Sequence, residues 1–425
     1  MLQANGKLLI AFPTLLIVVA LAHAEHDRSP GHDWPRFLGP RINGISQETK
    51  WRKQWDEPPA LLWQVEIGVG FSSLAVSEGR LLTMGHEVNE SDEEDARGID
   101  RVFCFDSSSG KLLWKHEYAC KQNRHLHEGG PGATPTVAGR VVYTLSREGH
   151  LFCLRTDNGK PVWSRFLPDD LEVEMPEWGF VSSPLLWNDL LIVDAGHLAA
   201  YDRRTGELRW KSEKYRPGYG SAIPFRHAGQ DGLAVLNNDF LLLVRAADGK
   251  EIAKTAWETS FATNSTTPIV VDDKFFISTG YNRGCSLLRL SGGELERIYE
   301  NKNMRNHFNN CVLLDGHLYG IDGNTHDRRN ATLCCIDFET GERKWRERDT
   351  GVGSVILAGD TLLVLTDFGE LITVEPSPDE YKEISRADIL DGLCWTPPVL
   401  SHGLLYARDA GGHLVCVDLR ADEVD

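Results

Sequence analysis

The stretch CFDSSSGKLLW, Cys104–Trp114, returns as CLRTDNGKPVW at Cys153–Trp163, AYDRRTGELRW at Ala200–Trp210 and CIDFETGERKW at Cys335–Trp345. Each copy reads as the end of one strand, a tight turn closed by Gly110, Gly159, Gly206 or Gly341, and a second strand carrying Trp114, Trp163, Trp210 or Trp345. Glycine suits the turn because it has no Cβ to oppose positive φ, and an indole is large enough to pack between neighbouring units. A phrase recurring about every 45 residues marks a repeat architecture whose units need one another to bury a face. Weaker copies fill the gaps. LVRAADGKEIA (Leu243–Ala253) puts alanine where tryptophan belongs, and LLRLSGGELERIY (Leu287–Tyr299) ends on tyrosine. TVEPSPDEYKEI (Thr373–Ile384) and CVDLR (Cys416–Arg420) keep only the strand half.

Between the copies lie short β-rich runs broken by tight turns, such as ATPTVAGRVVYTL (Ala133–Leu145), TTPIVVDDKFFIS (Thr266–Ser278) and TPPVLSHGLLYA (Thr396–Ala407). Two-residue turns containing Gly, Asn or Asp between such runs are hairpin signals. Pro135, Pro184, Pro268 and Pro398 stand at strand starts, where a missing amide donor costs least. Each repeat is therefore a four-stranded unit, and eight units fit the chain. The last ends too early to form its tryptophan strand. ALLWQV (Ala60–Val65), with Trp63 and no repeat in front of it, supplies the missing piece. The expected fold is all-β: an eight-bladed propeller of four-stranded antiparallel blades spanning 60–425, closed by an N-terminal strand that removes the exposed edges.

Residues 1–24 differ from the rest. Lys7, the apolar run Leu8–Leu21 and Ala22-His23-Ala24 make the basic start, apolar middle and small-residue cleavage site of a secretory signal peptide. The run is about 14 residues, short of the roughly 20 that span a bilayer. The expectation is an exported protein, periplasmic or extracellular, with no integral span after cleavage, and an extension over 25–59 ahead of the ring. The formal charge of −17 argues against nucleic acid and anionic lipid as partners. The densest acidic run, within Glu87–Asp100, lacks the alternating ligands and central glycine of a calcium loop and reads as a solvated loop.

Nine cysteines cannot all pair internally. Cys104, Cys153, Cys335 and Cys416 share one repeat position and read as small buried apolar residues, too far apart to bridge. Neighbours in a strand face opposite ways, which opposes a Cys334–Cys335 bond. His125-Leu126-His127 has alternate spacing but too few ligands for zinc, and reads as solvent-exposed. No nucleophile elbow, HExxH helix or phosphate-binding glycine loop occurs.

The repeated x-x-Asp-x-x-x-Gly-x-x-x-Trp phrase, over about residues 60–420, resembles that of the quinoprotein alcohol dehydrogenases and their non-enzymatic relatives, including the propeller lipoprotein of the outer-membrane β-barrel assembly machinery. DWPRFLGPRINGIS (Asp33–Ser46), NKNMRNHFNNCVLLDGHLYGIDG (Asn301–Gly323) and LCWTPPVL (Leu393–Leu400) resemble a family of exported bacterial propellers of pyrroloquinoline-quinone-like type. The resemblance implies a fold, and two functions within it.

In a propeller the residues entering each first strand rim one mouth of the channel. The expected ligand-binding set there is Trp178, Tyr219, Asn264, Asn306, His307 and Trp395, large aromatics mixed with a few polar groups. One expectation is a non-catalytic propeller that binds a protein or a small polar ligand of the cell envelope at this mouth. The alternative implied by the resemblance is a pyrroloquinoline-quinone- and Ca²⁺-dependent oxidoreductase acting on an alcohol or sugar. Glu177 and Asn264 would then hold calcium, Trp178 or Trp395 would stack on the quinone, Arg305 would face its oxygens and His307 would replace the catalytic base. No Asp stands at any rim entry, and no C-x-x-C-H haem site is present to take electrons. Both features favour the binding reading.

Overall fold

The computed structural model describes residues 32–87, 97–122 and 127–421. The expected signal peptide, most of the acidic run and His125 lie outside the described residues. Eight antiparallel sheets surround a channel, seven of them four-stranded and one with a fifth strand. Blade 1 comprises Ala75–Ser77, Arg80–Glu87, Arg97–Asp106 and Leu112–Lys121. Blades 2 to 7 follow over residues 136–166, 185–211, 223–256, 269–301, 312–347 and 354–388. Blade 8 takes three strands from residues 399–418, and Leu61–Glu66 is its fourth. The helical pieces among the described residues are short inserts, Leu167–Leu171 and Thr325–Asn330.

The repeat phrase maps onto one local structure. Cys104 lies opposite Trp114, Cys153 opposite Trp163, Ala200 opposite Trp210, Cys335 opposite Trp345 and, across the termini, Cys416 opposite Trp63. A bulge beside every one of these pairs shifts the register. A small residue opposite an indole keeps the sheet thin there, and the bulge turns the indole towards the next blade. All nine cysteines are buried thiols, and Cys334 and Cys335 point into different interblade cores.

Four of the five indoles lie on the turn glycine of the following blade, and the fifth, Trp345, lies against Tyr381. A Cβ on Gly159 would sit 2.4 Å from the ring of Trp114, and one on Gly249 would sit 2.4 Å from Trp210. Trp63 covers Gly110, Trp163 covers Gly206, and Tyr299 takes the same place over Gly341. The glycine is therefore required twice, for the turn and for the neighbour's ring. Where blade 4 carries Ala253, the turn glycines of blade 5, Gly292 and Gly293, have open space around them. The indole nitrogens add a hydrogen bond to the next blade: Trp63 to Ser107 O at 3.1 Å, Trp114 to Thr156 O at 2.8 Å, Trp163 to Arg203 O at 3.1 Å and Trp345 to Ser377 O at 2.7 Å. Trp210 Nε1 is buried with no partner.

This gives a test. Gly159 has φ of +69° and a ring against it, whereas Gly293 has φ of +86° and open space. Gly293→Ala should cost only the backbone strain, about 1 kcal/mol. Gly159→Ala should cost that plus a further ~1–3 kcal/mol of overpacking. Urea unfolding of both variants measures the difference, and equal losses would show that the ring does not rest on the glycine.

Of the extension ahead of the ring, the structure describes residues 32–59. They cross the channel at the end opposite the strand entries. Trp34 pairs with Val76 of blade 1, and Pro35 O accepts from Val137 N of blade 2 at 2.8 Å. Ile42 packs against the cores of blades 4 and 5. Ile45–Ser46 then adds a parallel fifth strand beside Ser354–Ala358 of blade 7. Glu48 accepts from the backbone of His402 at 2.7 Å and Gly403 at 2.6 Å in the first hairpin of blade 8, and Trp51 bridges to Arg420. The DWPRFLGPRINGIS segment is thus a floor, and the channel is a cup.

Candidate functional site

The cup is a cavity of about 520 Å³. Phe37 of the floor reaches its base, and small residues at the strand entries, among them Ser73, Thr134, Ser183, Ser221 and Ser265, form its wall. Three of these hydroxyls, on Ser73, Ser183 and Ser221, are occupied in joining blades. Thr134 N donates to Ser183 Oγ at 2.9 Å, Ser183 N to Ser221 Oγ at 2.9 Å, Ser221 N to Thr267 Oγ1 at 3.0 Å and Thr267 N to Asn310 Oδ1 at 3.2 Å. A hydroxyl accepting from the preceding blade's amide satisfies a backbone donor that the pleat leaves unpaired. The polar ring predicted at the rim is in this part structural.

Above it runs an arc of rings from different blades. Trp178 stacks on His127 with centroids 5.0 Å apart, His127 meets Phe71 edge-on at 5.0 Å, and Phe71 stacks on Trp395 at 5.5 Å. Phe308 follows at 5.0 Å from Trp395, His307 at 5.1 Å from Phe308, and Tyr281 at 4.7 Å from His307. Tyr219 also lines the cavity. Rings held by other rings keep their orientation, so the mouth is preorganised and mostly apolar.

Of the six residues expected to bind ligand, the cavity brings together Trp178, Tyr219, His307 and Trp395. Asn264 and Asn306 are corrections. Asn264 is wholly buried, its Nδ2 donating to Asn237 O at 2.7 Å and Trp257 O at 2.8 Å while Oδ1 accepts from the Thr279 hydroxyl at 2.9 Å. Asn306 donates to Ile321 O at 2.9 Å, behind the mouth. The Asn264 amide is spent on carbonyls just past strand ends, and the Asn306 amide on a carbonyl of the strand His317–Asp322. His127 is a correction as well, since it is half-buried between Phe71 and Trp178 instead of facing solvent. Phe37, Glu128, Tyr281 and Arg328 also reach the cavity. The left-handed backbone of Tyr281, φ of +48°, is a strained loop position, which a single sequence does not reveal.

The charges in the cup are few. Arg328 is paired with the fully buried Asp367 and lies over the Phe368 ring. Glu128 Oε2 and Trp395 Nε1 are buried with no partner. Burial, with the nearby His326, pushes His307 down to about 4, and its Nδ1 accepts from Thr325 N at 3.3 Å. Burial likewise lowers His127 and raises Tyr219 to about 12. The sign for His307 follows from linkage. The unfolded imidazole takes a proton near 6.5 and the folded one only near 4, so stability is full above pH 6.5 and declines as pH falls towards 4. His307→Asn retains an acceptor for Thr325 and should flatten that decline in melting temperature. It should not abolish it, because burial also lowers His116, His127 and His197. An unchanged acid limb would show that His307 is not buried neutral.

The quinone cofactor implied by resemblance does not fit this cup. Its carboxylates call for cations, yet Arg328 is neutralised by Asp367 and Glu128 presents an unpartnered oxygen. Asn264 has no group left for calcium, and Glu177 does not line the cavity, its carbonyl accepting from Arg147 at 3.2 Å. Arg305 is clamped on Asp322 at 2.6 and 2.8 Å, and cannot face a quinone oxygen.

The family model described as "Outer membrane protein assembly factor BamB" matches residues 46–347. BamB from Moraxella catarrhalis superposes with a TM-score of 0.60 at 15% identity, over 85% of this chain and 100% of that one. The quinohemoprotein alcohol dehydrogenase of Comamonas testosteroni gives a TM-score of 0.65 at 11% identity, over 95% of this chain and 82% of the enzyme. The quinoprotein alcohol dehydrogenase PedH of Pseudomonas putida is 26% identical over 118 residues, which take in 26% of this chain and 19% of the enzyme. At such identities the structural likenesses show the fold alone.

Proposed function

Since this chain belongs to the family described as outer membrane protein assembly factor BamB, we propose that it is a non-catalytic binding propeller of the cell envelope. Its working surface is the floored aromatic cup. The ligand is a small molecule, or a side chain presented by a partner protein, held between the rings of Trp178, Phe71, Trp395 and Phe308. The observation that carries this reading is the continuous ring arc around a cavity of about 520 Å³ whose one arginine is neutralised by Asp367. Such a surface gains affinity by desolvating apolar area on rigid anchors. It supplies little for chemistry, because an imidazole with a pKa of about 4 is a weak base at neutral pH.

Trp178 and Trp395 report on occupancy through their fluorescence. Titration with aromatic and acyl-bearing small molecules and with envelope peptides should find a saturable ligand. Trp395→Ala should weaken it at least tenfold, about 1.4 kcal/mol, without lowering the melting temperature appreciably. A parallel arm adds Ca²⁺ and pyrroloquinoline quinone, then alcohols and an artificial electron acceptor. Co-elution of the quinone with the protein, followed by substrate oxidation, would replace the binding reading with the oxidoreductase one.

A further inference from the structure

A second chemical cluster lies outside the cup, between blades 1 and 2. The strands of blade 1 run long, and strict alternation puts His86, Asp100, Tyr118 and Cys120 on the face turned towards blade 2. His86 is opposite Asp100, Asp100 opposite Tyr118, and Gly98 opposite Cys120. The turn joining two strands of blade 2 brings Glu148 and His150 against them. The ligand atoms of Cys120, Glu148 and His150 lie within 4.8 Å of one another.

A further observation points to a ligand there. His86 and Asp100 are each 1% exposed and joined through Nδ1 and Oδ1 at 2.7 Å, and Tyr118 and Cys120 turn to the same carboxylate, yet His86 Nε2 is buried without a partner. An orphaned buried polar atom costs about 1–3 kcal/mol, so His86 Nε2 beside the cluster calls for an occupant. A Cβ on Gly98 would come within 2.3 Å of His86 Nε2, so glycine there is what lets the imidazole lie against the strand that pairs with Cys120.

We propose that the cleft between blades 1 and 2 is a metal site for Zn²⁺, ligated by Cys120 Sγ, His150 and Glu148, with Asp100 and His86 behind them. Sulfur, imidazole and carboxylate together suit a borderline-soft divalent ion. Bonds of about 2.0–2.3 Å bring these three groups together after small side-chain rotations. The second layer is in place: Ser146 Oγ is 3.0 Å from His150 Nδ1, and Lys121 N donates to one Glu148 oxygen at 3.2 Å. Burial and the neighbouring carboxylates keep the Cys120 thiol protonated without metal. Binding therefore exchanges the thiol proton for the ion, with no change of oxidation state. Arg147 is the competing cation, but its Nη2 donates to Glu177 O at 3.2 Å.

The full chain, stripped with a chelator and dialysed against Zn²⁺ or Co²⁺, should hold about one ion per molecule. Co²⁺ should show a thiolate charge-transfer band, and Zn²⁺ should raise the melting temperature. Cys120→Ala and His150→Ala should lose the bound ion and the band. Glu148→Gln should weaken binding at least tenfold, and Cys394→Ala, a buried cysteine elsewhere, should change neither. If Cys120→Ala does not fold, Cys120→Ser and the wild-type cobalt spectrum carry the test. Folded wild-type protein without stoichiometric metal, Co²⁺ bound with no thiolate band, or a Cys120 variant that keeps both would overturn the site. Trp395→Ala should leave metal binding intact, so failure of the cup and failure of the metal site are separate results.

Discussion

Deleting residues 25–66 should abolish the folded ring as a whole, not fray one end of it. The deletion removes Leu61–Glu66, the outer strand of blade 8, and leaves the edge of His413–Asp418 unpaired. It also removes the floor. Trp34 and Trp51, 3% and 4% exposed, anchor a core shared by blades 1, 7 and 8. Losing one such aromatic costs ~3–5 kcal/mol, and a domain's whole stability is about 5–15 kcal/mol. Two open edges then template aggregation. Size-exclusion chromatography and a thermal melt by circular dichroism are the measurements, with aggregate and no cooperative transition expected. Deleting only residues 25–56 keeps the closing strand and separates the two contributions. That variant should be monomeric but less stable, with the cup open at its base. A monomer with an unchanged melting temperature after the longer deletion would show that closure does not depend on the N-terminal strand.

Arg408→Met should cost roughly 3–5 kcal/mol, from buried carbonyls that lose their charged donor at ~1–3 kcal/mol each. Arg408 is wholly buried in blade 8 and forms no ion pair among the described residues. Its Nη1 donates to Met84 O at 2.7 Å and Ser72 O at 3.3 Å, its Nη2 to Gly68 O at 3.1 Å and its Nε to Asp409 O at 3.2 Å. One side chain thus ties the last blade to the first and to the segment between them. Burial lowers its pKa to about 10, so the guanidinium is still charged at neutral pH, held by carbonyl dipoles. Methionine fills the volume but removes four hydrogen bonds, and of their acceptors Ser72 O keeps the Thr83 hydroxyl. Arg408→Lys should rescue little, because one ammonium cannot span carbonyls on three sides. Urea midpoints at constant slope measure the loss. A change below about 1 kcal/mol would mean that the carbonyls find water, and that the clamp is not what seals the ring.

The repeat phrase was a strong guide because its meaning is local. A small residue, a turn glycine and an indole within one hairpin specify register, bulge and direction, and the same contacts recur from blade to blade. The closing strand was legible for the same reason: Trp63 supplies the indole that Cys416 lacks. The cup was legible only in part. Aromatic residues at strand entries pointed to Trp178, Tyr219, His307 and Trp395, but residue type does not say whether an amide faces the channel or the backbone behind it. Asn264 and Asn306 were misplaced on that account.

The sequence by itself determined the blade, the number of blades and the way the ring closes, because those depend on contacts within a hairpin and between successive copies. Only the tertiary structure decided the floor, the ring arc and the cluster at Cys120. Phe37 meets the strand entries, His127 lies between Phe71 and Trp178, and Glu48 caps a hairpin 354 residues away. None of these partners shares a spacing or a period that a sequence can display. They meet because eight similar blades close on one axis, and closure brings side chains distant in the chain within contact.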